Sequence, residues 1–161
     1  MTKVRNGPFE AFARTKARRV ALPSADPTAH IHCMYHDLAH FEKVARDTVA
    51  SLPEAFRPAA EAVILRIAEW PAPDMLDDLG IADPRELTGF YEGIPMTEKS
   101  VLDIAPPQDA VWLFRQPILA EWRERGNVGL DELIAHVVIH EFAHHFGWSD
   151  QEIAAVDQWW T

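Results

Sequence analysis

At 161 residues, with 48% hydrophobic and 25% charged side chains, the chain is long enough to enclose one sizeable core, and nothing in it suggests a second domain. Six Lys/Arg against one Glu give residues 1–20 a net charge of +5 within a total of −10, so the remainder carries −15 and repels phosphate backbones, which excludes nucleic acid as a partner of the main body. No run of eighteen apolar residues and no secretory signal are present, and the single cysteine, Cys33, excludes an internal disulfide; the chain reads as a cytoplasmic protein without a membrane span.

In chain order, residues 1–33 are basic and close on a Pro/Ser/Asp/Thr segment of linker composition. They are expected to form a flexible extension to a domain over 34–161, with polyanion binding as the other use of such an arm and Met34 as an alternative start. "HIHCMYHDLAH" gathers His30, His32, Cys33, His36 and His40, which are read as solvated surface residues in preference to a second metal site. "HDLAHFEKVARDTVASLP" sets Leu38, Phe41, Val44/Ala45, Val49 and Leu52 at helical spacing and stops at Pro53. "EAVILRIAEWP" predicts a buried strand over 62–69, "TGFYEGIP" a loop or short strand, and "DAVWLFRQP" a second strand over 110–115 ended by proline. From Leu130 the helical period returns, with Leu133, Ile134, Val137, Val138, Phe142 and Phe146 on one stripe and Gly147 as the breaker.

That last helix carries the chemistry. His140 and His144 are four residues apart, so their rings lie on one face, one turn apart, and can converge on a point. Glu141 beside the first completes H-E-x-x-H, in which two imidazoles hold zinc and the glutamate takes a proton from water. Gly147 then frees the chain to turn back and bring Asp150 toward the same metal. In this composition a chance H-E-x-x-H followed by Gly and Asp at these offsets is an event on the order of one in ten thousand. "SDQE" leaves a second reading of Asp150 open, as part of a capping box opening another helix. Three further residues are candidates for transition-state or supporting roles. Tyr91 could donate to an oxyanion or simply pack. His136 shares the face of His140 but lies too far along the axis for the same metal, since three such histidines span ~12 Å. His145 either lines the cleft or faces solvent.

These motifs resemble the small bacterial zincin-like metallopeptidases. The resemblance covers roughly residues 37–160, through "FEKVARDTVASLP", "GFYEGIPMTEKS", "VWLFRQPIL" and "VIHEFAHHFGWSD" in the family's order. It implies an α+β zincin-like fold: a small mixed sheet packed against a backing helix and a C-terminal active-site helix, with an edge strand along the cleft. It also implies His140, His144 and Asp150 as zinc ligands and Glu141 as general base. The basic extension departs from the family pattern, as does the absence of any methionine after Asp150, so the Met-containing turn of larger metzincins is missing.

The expected function is a metallopeptidase holding one Zn²⁺ per chain and acting on a peptide or protein substrate, laid as an added strand along a groove edged by "AVWLFR". The alternative is a non-catalytic zinc protein that uses the same cleft to bind a peptide or regulatory partner. Glu141 discriminates between them, because a purely structural zinc has no need of an acid beside its first ligand. Oligomeric state is not legible.

Overall fold

The computed structural model describes residues 36–99 and 108–156. The basic extension, with His30, His32 and Cys33, lies outside the described residues. The elements are α1 (Leu38–Ala50), α2 (Arg57–Glu61), β1 (Ile64–Ala68), α3 (Pro73–Leu79), a single 3-10 turn (Pro84–Glu86), β2 (Gly89–Glu92), β3 (Ala110–Phe114), α4 (Arg115–Arg125), α5 (Leu130–His145) and α6 (Asp150–Val156). This is the expected α+β arrangement of helices around a small mixed sheet. Among the described residues no helix is long and apolar enough to cross a membrane.

The sheet has the order β1-β3-β2, with β1 parallel and β2 antiparallel to β3. Ala110, Val111, Leu113 and Phe114 are buried along β3, the continuous apolar burial of an interior strand. The expected groove beside "AVWLFR" therefore does not exist, because β1 and β2 occupy both edges of β3. The free edge next to α5 belongs to β2.

α1 and α5 pack against each other and against one face of the sheet, α1 over β1 and α5 over β2 and β3. α1 starts because the Asp37 carboxylate accepts the His40 N–H at 2.8 Å, satisfying an orphan donor of the first turn. It buries Phe41, Ala45, Thr48 and Val49, and the hydroxyl of Thr48 is satisfied internally by donating to the Val44 carbonyl at 2.8 Å. Leu38, expected in the stripe, is 37% exposed at the open end of the helix, while Leu52 is buried just past its end. The core continues through Leu113, Ile118, Leu133, Ile134, Val138 and Phe142, all at or below 1% exposure.

Three helices went unpredicted. Pro73, and Pro117, which the sequence expectation uses to end the second strand, each sit in the first turn of a helix, where the missing N–H has no intrahelical partner to lose. α4 follows β3 without a connecting loop. Its first residue, Arg115, donates to the Glu69 carboxylate at 2.9 Å and to the carbonyl of His36, tying the start of α4 to the end of β1 and the approach to α1. Gly126, at φ 64°, then closes α4 in the left-handed conformation.

β2 crosses α5 at Gly89, where side chains of the helix fill the space a Cβ would need. A Cβ there would lie 2.7 Å from Val137 Cγ1 and 2.8 Å from Glu141 Oε1. Gly89→Ala is therefore expected to lower stability by about 1–3 kcal/mol through overpacking, read as a shift in the urea midpoint at unchanged m-value. An unchanged midpoint would mean that strand and helix separate freely at this point.

Candidate metal centre

α5 buries most of its circumference and leaves His136, His140 and His144 partly exposed, one turn apart on its open face. The Nε2 atoms of His140 and His144 stand 3.2 Å apart, and Asp150 Oδ1 lies 3.4 Å from the first and 3.2 Å from the second. Zinc–nitrogen and zinc–oxygen bonds of about 2.0–2.1 Å at tetrahedral angles put neighbouring donors about 3.3 Å apart, so this triangle has the dimensions of one face of a zinc tetrahedron. Two imidazoles and a carboxylate also match zinc in donor type, with a fourth position left for water or substrate. Among the described residues this is the group of donors that converges closely enough for a metal. His40, from the other histidine group, instead pairs with Asp131 at 2.7 Å.

The turn after α5 assembles this triangle. Trp148 N–H donates to the Ala143 carbonyl at 3.0 Å and Gly147 N–H to the His144 carbonyl at 2.9 Å, the paired bonds of a Schellman motif. The motif requires a left-handed residue, and Gly147 supplies it at φ 86°. A Cβ at Gly147 would also collide with Thr97. The reversed chain brings the Trp148 carbonyl within 2.9 Å of His144 Nδ1, which donates to it and leaves Nε2 as the lone-pair atom facing the other donors. Burial and the neighbouring His144 and His136 depress the pKa of His140 against the pull of Asp150, which favours the neutral imidazole that a metal requires.

The two readings of Asp150 separate here. Ser149, not Asp150, caps α6: its N–H and hydroxyl each donate to the Glu152 carboxylate at 3.1 Å, and Glu152 N–H donates back to Ser149 Oγ at 3.4 Å. Asp150 is the first helical residue, with its carboxylate turned toward the histidines.

Glu141 lies under Gly89, 7% exposed. Burial pushes its carboxyl up to about 8, opposed by the Tyr91 N–H that donates to it and reinforced by the charge of Asp150. The Tyr91 side chain points inward. Its hydroxyl lies 2.9 Å from the Ile94 carbonyl and 3.1 Å from Asp109 Oδ1, with His145 Nδ1 at 3.3 Å. His145 is buried at 2%, between Tyr91, Phe142 and Phe146, so the expected solvent-facing flank is not its position. His136 remains a turn away from the donor triangle, its ring centroid 6.4 Å from that of His140.

The zincin-like metallopeptidase family model matches residues 60–160, from the end of α2 past the ligand triangle. The chain belongs to the zincin-like metallopeptidases. No curated protein matches it. In this zincin-like chain the donor triangle and Glu141 open into a cleft of about 530 Å³, walled by Phe90, Pro95 and Trp148 and rimmed by Glu98. The wall residues escaped sequence reasoning, because they come from three separate loops and strands whose approach only the tertiary fold determines. Asp109 escaped it too. It is an isolated acid before a strand, with no spacing signal.

Two outcomes are expected. Asp150→Asn leaves the Ser149–Glu152 cap untouched, so it should weaken zinc binding by more than about 100-fold, beyond what loss of an outer-shell partner costs, while Asp150→His should retain part of the affinity. Titration against a competing chelator checks this, and equal affinity for wild type and Asn would remove Asp150 from the ligands. In the metal-free protein, a Glu141 pKa raised above its ordinary 4.5 means that the folded state holds the proton more tightly. Its contribution to stability then falls as pH rises from about 4.5 to 8. Glu141→Gln does not titrate, so with chelator present its melting temperature should gain on wild type across that window. A pH-independent difference would contradict the buried, proton-retaining carboxyl.

Proposed function

We propose that this chain is a zinc-dependent peptidase that hydrolyses peptide bonds with Glu141 as general base and His140, His144 and Asp150 as ligands to one zinc ion. The observation that carries this proposal is the pairing of a tetrahedron-sized donor triangle with a buried carboxylate on the adjacent residue, both opening to the same cleft. Zinc, when bound, supplies Lewis acidity that makes water a nucleophile near neutral pH and polarises a carbonyl.

The chain's own residues do the rest. Glu141 takes the proton from the attacking water and returns it to the leaving nitrogen, and a carboxyl whose pKa is tuned upward is suited to both halves of that cycle. A peptide or protein substrate fits the free edge of β2, which runs along the cleft and can accept an extended backbone as an additional strand. A non-catalytic zinc protein would have no use for an acid buried at this cost beside a ligand.

Glu141→Gln keeps size and hydrogen-bonding capacity but removes the base. Zinc content should be unchanged, while cleavage of a peptide library falls by roughly 10² to 10⁴. Equal cleavage by both proteins would sink the general-base assignment.

A further inference from the structure

The loop that follows β2 is fastened along its length and brings one charge to the cleft. Near its start, the Tyr91 hydroxyl donates to the Ile94 carbonyl at 2.9 Å. Met96 N–H donates to the His145 carbonyl at 2.9 Å, which ties the loop to the last turn of α5, and Glu98 N–H closes a tight turn on the Pro95 carbonyl at 2.8 Å. Thr97 fills the space where a Gly147 Cβ would stand, and Lys99 forms an ion pair with Asp109, a carboxylate 7% exposed directly before β3. Glu98, between Thr97 and Lys99, lines the cleft together with Pro95. Its backbone is thereby fixed from both sides.

The charges around it are one-sided. Three carboxylates line the cleft, those of Glu98, Glu141 and Asp150, and among the described residues no Lys or Arg does. Asp150 faces two imidazoles across the donor triangle, and Glu141 is occupied with the proton it moves. Glu98 has neither task, and the cation beside it in the chain, Lys99, is held by Asp109. A cationic side chain entering the cleft therefore meets a carboxylate that can pair with it. The rings of Phe90 and Trp148 offer the rest of such a side chain a surface, on which an aliphatic stem packs while its charged head stays at the wetter rim. A peptide laid along the free edge of β2 runs toward this loop, because the loop continues directly from Glu92. Accepting the peptidase reading, we infer that Glu98 is a specificity residue: it selects peptides that carry a lysine or arginine at the position lying against the loop after β2.

Zinc-loaded wild type, Glu98→Gln, Glu98→Lys and, as a control for net charge, Glu61→Gln at an exposed position of α2 are given the same peptide library, and the cleavage sites are read by mass spectrometry. In wild type one substrate position should favour Lys and Arg over the uncharged Met by at least about fivefold in kcat/KM, the upper end of what a solvent-exposed ion pair gives. Added salt should shrink this preference. Glu98→Gln should abolish it, Glu98→Lys should turn it toward Asp and Glu, and Glu61→Gln should retain it. Zinc content should be the same in all four proteins, which separates a changed preference from a damaged metal site. A wild type with no basic preference at any position, or a preference that survives in both Glu98 variants, would overturn the inference. So would an equal loss in Glu61→Gln, which marks the field of the whole acidic body instead. Should wild type cleave no member of the library, the peptidase reading fails by itself. The same library on an array, probed with zinc-loaded wild type and Glu98→Lys, then still decides the selectivity: the variant should lose the Lys-bearing members that wild type retains, and equal retention by both proteins would overturn it.

Discussion

The left-handed turn at Gly147 is the constraint on which the rest of the site depends. One residue at positive φ lets a core helix end in a Schellman motif, and three consequences follow from the same few bonds. The chain reverses, so that a carboxylate three residues on meets two imidazoles on the helix it has just left. The Trp148 carbonyl arrives at His144 Nδ1 and selects its tautomer. The space a side chain would need is filled by Thr97, so the loop after β2 seats against the turn. Any other residue at 147 would have to solve both a backbone and a packing conflict.

Gly89 plays a corresponding part where β2 meets α5. Its missing side chain lets β2 lie against Val137 and Glu141, which leaves the carboxylate only 7% exposed where it meets the cleft. Core and strand together supply the burial that raises its pKa. Two glycines, one at a crossing and one at a turn, bracket the three chemical residues of α5.

Much of this was legible in the sequence for a specific reason. Helical spacing forces His140 and His144 onto one face whatever surrounds them, and the apolar residues of α5 leave no other element type for the segment. The interior position of β3 is legible in "VWLF", an unbroken apolar run of the kind that interior strands show, and this run argues against the groove expected along its edge. Pro117 misled because proline ends a strand and begins a helix with equal ease, and only the following residues distinguish the two. His145 and Asp109 could not be read at all. Whether a polar side chain is buried and partnered depends on which loops cover it, and those contacts join residues 36 positions apart in the chain. Asp150 was ambiguous for a subtler reason: capping residue and ligand call for the same side chain, and only the hydrogen bonds of Ser149 separate the roles.

α6 is seven residues long, well below the length at which a helix persists alone in water, and among its described side chains only Ile153 reaches the core. A metal held by two residues of a deeply buried helix and one of this short peripheral helix would therefore link unequal partners. Binding energy drawn from the triangle goes in part to ordering the segment that carries the third ligand, so metal occupancy and the docking of the C-terminal turn become a single linked equilibrium. Loss of the ion would leave the core standing and release its last element, which makes the cleft's outer wall a reporter of the metal's presence.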